Sequence, residues 1–189
     1  KKVHGDQYFE STTNYFSLLW DIATPGHKKK LWRYIDNNED QIEKPYPVLT
    51  NYRPRTGARR KNYGKTVTNG DIWMVLGSHA AAARLQANYI GRGTEMLENP
   101  YVYEKEHGAI HNCIYQDGTT NDVWDPEVAN NGALFAGLVY GVLGLKLKHD
   151  RLEFHLRPLE GLEHLTLDFF AFSQPKRLVL NWKDNVFQK

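Results

Sequence analysis

A mainly α chain with a small antiparallel β module at its C-terminal end is the fold class this sequence predicts, on three observations. Apolar residues recur at helical spacing in several segments of the first three quarters. One segment carries Ala80-Ala81-Ala82-Ala83, the run of highest helix propensity in the chain. After Gly144 the period drops to the two-residue alternation of half-buried strand. At 189 residues the chain can hold one large or two small domains and bury a real core. The expected division is helical hairpins over 1–144 and the β module over 145–189.

In order, Thr12-Thr13 caps a helix over 14–23 whose apolar positions are Phe16, Leu19, Trp20 and Ile22 or Ala23. Thr24 as cap and Pro25 in the first turn restart a second helix that ends in Asp36-Asn37-Asn38. So short a break predicts a helical hairpin. From Tyr46 to Gly70, just after Pro45, two prolines (Pro47 and Pro54) and a basic cluster (Arg53 to Lys65) lie in a stretch without helical period, expected as a long loop. A helix over 71–85 follows, with Gly91 as its natural stop and small side chains that let a neighbour approach closely. A short helical patch is expected at 94–97. The last helix, 132–143, is apolar nearly all round, is expected to be buried on most sides, and stops at Gly144. Leu145 and Leu147, Leu152 to Leu156, Leu165 to Phe169 and Leu178 to Trp182 then alternate on about four strands. His149-Asp150 makes a tight turn, and Pro175 separates the last two strands.

A formal charge of +2 gives no reason to expect a nucleic-acid or membrane partner, and His27-Lys28-Lys29-Lys30 reads as a solvated helix face. No apolar run approaches the roughly 20 residues that span a bilayer. The single cysteine, Cys113, excludes an internal disulfide and reads as a buried thiol. The start has no Met, and structure begins almost at once, so the chain is expected to be a piece of something longer.

Chemistry concentrates ahead of the last helix. Asp122, Trp124, Asp125 and Glu127 share one short loop. A ring with several acids suits sugar binding and acid/base work at an anomeric carbon. The competing reading is an acidic helix mouth, favoured by the helix dipole.

Three motifs carry a resemblance. Asn14-Tyr15-Phe16-Ser17-Leu18-Leu19-Trp20-Asp21-Ile22-Ala23-Thr24-Pro25 resembles the N-A-L-A-L-L-x-G-I-A-T-P hairpin of six-hairpin, (α/α)6-toroid glycoside hydrolases. Asn69-Gly70-Asp71-Ile72-Trp73 resembles their N-G-G-x-W start to a late inner helix. Asp122-Val123-Trp124-Asp125-Pro126-Glu127 resembles the E-x-[YF]-[ND]-P-x-T-G loop before their last inner helix. Residues 145–158 are similar to the β module that often follows this barrel. The resemblance implies the late hairpins and C-terminal module of a toroid, with glucoamylase-like, processing-glucosidase-like and rhamnosidase-like members all open.

It also implies inverting hydrolysis, in which an acid protonates the leaving oxygen and a carboxylate on the other side activates water. The position of the family's base is Asp122, an Asp where the family more often has Glu; Glu127, with its longer reach, competes for the role. The general acid belongs to an earlier hairpin outside this chain, so the missing N-terminal part of the same protein is an expected partner, with an oligosaccharide or glycoside as substrate.

Trp73 and Trp124 are candidate stacking platforms, with core packing as rival for Trp73. Asp71 and Asp125 are candidates for bonding sugar hydroxyls, Asp71 being also an ordinary first-turn acid. Tyr52, Arg53 and Arg55 are candidates to face the cleft, and Arg55 suits a charged or phosphorylated ligand if it is not simply exposed. His107 and His111 with Asp117 share no helix face, so neither a metal nor another cofactor is expected. Alternative readings are a non-catalytic carbohydrate-binding or scaffold subunit, and a glycoside phosphorylase or lyase on the same toroid.

Overall fold

The structure, a computed structural model, describes residues 9–43, 51–52, 72–111, 113–114, 128–157, 159, 161–181 and 186–188. Mainly α with a small antiparallel β module is the architecture observed there. Strand β1 (Phe9–Glu10) runs directly into helix α1 (Ser11–Leu19). Its cap is Glu10 rather than Thr12-Thr13: the Glu10 carboxylate accepts from the Thr12 amide at 3.1 Å and the Thr13 amide at 2.7 Å. A longer side chain starting earlier satisfies the same orphan donors. The helix stops at Leu19 rather than Ala23, because Asp21 turns left-handed at φ 60°. That exit swings Trp20 and Ile22 off the expected inner face, leaving them 47% and 73% exposed. Tyr15, Leu18 and Leu19 form the buried stripe instead.

Helix α2 (Pro25–Asp36) starts and ends as its local signals predict, with Thr24 Oγ1 accepting from the His27 amide. His27, Lys29 and Lys30 are exposed, as expected of that basic run. Lys28 pairs with Asp21 and Tyr34 stacks on Phe9 at 5.5 Å, so α2 runs back along α1 as a hairpin. A single turn, α3 (Glu39–Ile42), follows. Within the stretch expected as loop, β2 (Asn51–Tyr52) pairs antiparallel with β1.

Strand β3 (Ile72–Trp73) leads into α4 (Met74–Gln86), the central helix. Trp73 is therefore its extended cap rather than a helical residue. Ala80 to Ala83 are all buried, and two glycines approach this helix closely at Ser78 and Ala82. Helix α6 (Val128–Gly137) continues into a π-helical turn over Leu138–Val142. A Cβ on Gly137 would lie 3.1 Å from the Ser78 carbonyl oxygen, and one on Gly141 3.0 Å from Ala82 Cα and 2.8 Å from Leu85 Cδ1. Both pairs of numbers rise together, so α6 and α4 are parallel. Phe16 lies 5.0 Å from His79, and Trp20 lies 4.7 Å from Tyr140, whose carbonyl accepts from Gln86. Helix α1 therefore runs parallel to α4 as well.

Helix α5 (Ile90–His107) replaces the short patch expected at 94–97. Gly91 lies inside it and stops nothing; α4 ends at Gln86, and Asn88 makes the turn at φ 66°. Gly93 packs on Leu85, and Leu97 reaches Gly137 beside Ser78, so α5 returns antiparallel to α4. The last helix is less enclosed than its composition suggests, since Phe135 is 55% exposed. Three parallel helices with antiparallel returns thus form a layer centred on α4, and the described helices do not close a ring.

A buried charged cluster joins these elements. The Arg84 guanidinium, fully buried on α4, donates through Nε and Nη2 to the buried Glu43 carboxylate at 3.0 and 3.2 Å, and through Nη1 to Asp36 at 2.6 Å. The rings of Trp32 and Tyr89 lie 4.9 and 4.7 Å from its carbon. Arg92 of α5 donates to Glu43 Oε2 at 3.1 Å and to its carbonyl at 2.6 Å, and the Tyr15 hydroxyl donates to Glu43 Oε1. Burial alone would lower the pKa of Arg84, but the charge and hydrogen bonds of Glu43, with Asp36, raise it instead. Burial, and then Glu43, holds the Tyr15 phenol well above its ordinary value.

The C-terminal strands follow the predicted alternation. β5 (Lys146–Leu147) and β6 (Leu152–Glu153) pair across a tight His149-Asp150 turn closed by Lys148 N–H donating to Arg151 O at 2.9 Å. β7 (His164–Ala171), β8 (Gln174–Asn181) and β9 (Val186–Gln188) form an antiparallel sheet in that order. Leu165, Leu167, Phe169, Leu178 and Leu180 line one face with Leu143, Phe154 and Leu156. Leu147, expected to point inward, is 76% exposed, because its two-residue ladder lacks a covering layer there. Pro175 does not separate the last strands. Phe172 and Ser173 turn, both at positive φ, and Pro175 pairs with Phe170. β9 reaches only Val179 to Asn181, so β8 is an edge at Pro175, where a missing N–H is tolerated. Trp182 lies outside the described residues.

Three outcomes are expected. Gly141→Ala costs about 1–3 kcal/mol in urea unfolding through overpacking, whereas Gly132→Ala, whose added Cβ meets nothing within 4 Å, is neutral or gains up to about 1 kcal/mol. Glu43→Ala leaves Arg84 buried beside an empty site and costs about 3–5 kcal/mol in the same assay. Because the Tyr15 pKa is raised in the folded state, its stabilisation is complete below the unfolded tyrosine value of about 10 and is lost as pH rises beyond it. Tyr15→Phe therefore flattens the fall in melting temperature above about pH 10.

Candidate functional site

All three parallel helices begin at the same end of the layer, and a short ladder stands at the start of two of them. β1 pairs with β2 ahead of α1, and β3 pairs with β4 (Cys113–Ile114) ahead of α4. Tyr52, Ile72, Ile114 and Val128, the first residue of α6, all lie at this end. Each backbone dipole points its positive end here, which favours anionic groups over neutral ones.

Of the residues singled out in the sequence, Trp73 and Tyr52 are at this end. Trp73 is half-buried at the mouth of α4, opposite Cys113 in the ladder, and Tyr52 pairs through its backbone with Phe9. Asp71, Arg53, Arg55, Asp117, Asp122, Trp124, Asp125 and Glu127 lie outside the described residues, as does the side chain of Cys113. Beneath Trp73 the floor is apolar and closed: Ile72, Met74, Tyr103, Ile110, Ile114 and Leu134 are all buried together. That cluster ties the β3–β4 ladder to α5 and α6.

Tyr103 also organises the two histidines. His107 stacks on its ring at 4.1 Å and His111 meets the edge at 6.1 Å. Among the described residues no group of three or more His, Cys, Asp or Glu could hold a metal ion, and no helix is long and apolar enough to cross a membrane.

No known protein family matches the chain, and no curated protein does either. The site must therefore be judged on its own geometry.

At the opposite end, where α1 and the π-helical turn finish, a cavity of about 640 Å³ opens. Trp20, Trp32, Tyr140, Lys28, Lys146 and Arg157 are among its walls. Helical spacing places Trp20 on the inner face of α1, and no sequence motif marks Tyr140, Lys146 or Arg157. Trp20 falls at the helix exit, where an amphipathic ring meets solvent, because Asp21 turns left-handed.

Proposed function

We propose that the protein is carbohydrate-active, the C-terminal part of an inverting glycoside hydrolase whose (α/α)6 toroid this chain contributes an arc to. The observation that carries this reading is the parallel run of α1, α4 and α6 with antiparallel α2 and α5 returning beside them. Inner helices of one direction with outer helices of the other are what such a toroid requires. Substrate then sits at their common N-terminal end, over Trp73 and Tyr52.

In this reading Asp122 or Glu127 is the general base. Both precede Val128 by only a few residues, and the positive end of a helix dipole favours the ionised carboxyl that a base must be. The base takes a proton from water, whose oxygen attacks the anomeric carbon. The glycosidic C–O bond breaks on the opposite side, and an acid protonates the leaving oxygen. The two carboxyl groups need roughly 6.5–9.5 Å between them to admit that water. Trp73 and Trp124 offer ring faces to the sugar, and Asp71, Asp125 and Arg55 offer polar contacts. The acid comes from hairpins that precede this chain.

Two assays test the reading. The 189-residue chain alone gives no turnover of aryl glycosides, whereas the protein with its preceding hairpins hydrolyses them with inversion. In that longer protein, Asp122→Asn or Glu127→Gln lowers kcat by about 10²–10⁴-fold with a smaller change in KM. Turnover by the chain alone would refute the half-site. If both variants stay within a few fold of the parent, the loop is non-catalytic and a carbohydrate-binding or scaffold role replaces hydrolysis.

A further inference from the structure

The cavity at the C-terminal end of the helical layer has features that packing alone does not explain. Its size, about 640 Å³, falls within the range of small-molecule sites. Its charged lining is lopsided, with Lys28, Lys146, Lys148 and Arg157 against Asp21. Lys28 pairs with Asp21, and Lys148 comes within 4.0 Å of Glu153. Lys146 has no ion-pair or hydrogen-bond partner among the described residues.

Arg157 is the most telling. It is half-buried, and burial pulls its pKa below the usual arginine value, with no acid among the described residues to offset the effect. Its Nη1 donates to the carbonyls of Gly141 at 3.1 Å and His155 at 2.9 Å. No carboxylate among the described residues meets the rest of the guanidinium. A partly desolvated cation without a counter-ion is costly, and a bound anion removes that cost.

One wall is aromatic. Trp20, half-exposed, meets Tyr140 edge to face at 4.7 Å and 75°, which makes a corner of two rings. Such a surface takes the apolar face of a ring-shaped ligand. Trp32 lies deeper, against Arg84.

We propose that this cavity binds an anionic sugar, a phosphorylated or carboxylated monosaccharide unit, with the acid group on Arg157 and Lys146 and the ring against Trp20 and Tyr140. The site is separate from the end of the layer where hydrolysis is proposed, and does not depend on that reading.

Titration of the 189-residue chain by tryptophan fluorescence tests it, with glucose 6-phosphate, glucuronate, glucose and inorganic phosphate as separate probes. The expected result is a saturable change in the millimolar range with both charged sugars, weakened by added salt. Glucose gives none, and inorganic phosphate binds at least about fivefold more weakly than the sugar phosphate. Lys146→Glu, an exposed change that leaves the melting temperature in place, weakens the charged sugars by about fivefold or more. Trp20→Leu abolishes the fluorescence response, and competition with a reporter sugar then reads its loss of affinity. Absence of saturation with both charged sugars overturns the proposal, as does equal response to glucose. Equal binding of inorganic phosphate would remove the sugar ring from it. Unchanged affinity in both variants would move the ligand elsewhere.

Discussion

A guanidinium fully removed from water has to find every partner inside the protein, and Arg84 finds them on elements distant in sequence. Glu43, 41 residues earlier, takes two of its nitrogens, Asp36 takes a third, and Trp32 and Tyr89 face its plane. Arg92 and Tyr15 complete the shell of Glu43. Helices α1, α2, α4 and α5 and the end of α3 thus meet at one charge pair. Apolar packing alone would tolerate a slip of one helical turn between these elements. A two-point contact between a planar cation and a carboxylate does not, because any slip leaves a buried charge unpaired. The layer of helices holds its register here, and the ends of α1 and α4 stay level as a consequence.

Between the helices the constraint is steric. Ser78 and Ala82 on α4 meet Gly137 and Gly141 across the gap to α6, and Gly93 meets Leu85 across the gap to α5. With side chains this small, backbones approach closely and many weak dispersion contacts replace a few large ones. The π-helical turn begins after Gly137 and includes Gly141, so the helix is widened where it presses on Ala82 and Leu85. Close approach leaves no room for slow divergence of the axes, and the three parallel helices open at a common end.

What could be read in the sequence follows how local its cause is. Thr24-Pro25 capping α2, the alanines of α4 and the alternation from Leu165 to Phe169 are written in neighbouring residues, and the structure has them as expected. Helix α5 was hidden because Gly91, Gly93 and Pro100 are all local breakers. Tertiary packing overrides them: Gly93, Met96, Leu97 and Tyr103 face the core at helical spacing. Trp20 was misread because Asp21 ends α1 early. The charge cluster was invisible because Arg84 and Glu43 look like surface residues until the fold brings them together. At the candidate site only the framework is open to comparison: Trp73 and Tyr52 fall at one end, while the acids of the 122–127 loop rest on their position ahead of α6.

The parallel arrangement also explains why the two ends differ chemically. Dipoles of α1, α4 and α6 add rather than cancel, since their directions agree. One end is positive, where the β1–β2 and β3–β4 ladders stand at the starts of α1 and α4. The other end is negative, and Lys146, Lys148 and Arg157 gather where α1 and the π-helical turn finish. The carbonyls of Gly141 and His155 take one nitrogen of Arg157, and the field of the helix ends works against an anion arriving beside it. A ligand there has to be held by the side chains themselves, so the contribution of a single lysine is not masked by the backbone. At the opposite end the backbone dipoles already favour negative charge. Helix direction, a property set by packing of alanine on glycine, thereby assigns opposite electrostatic tasks to the two ends of one small layer.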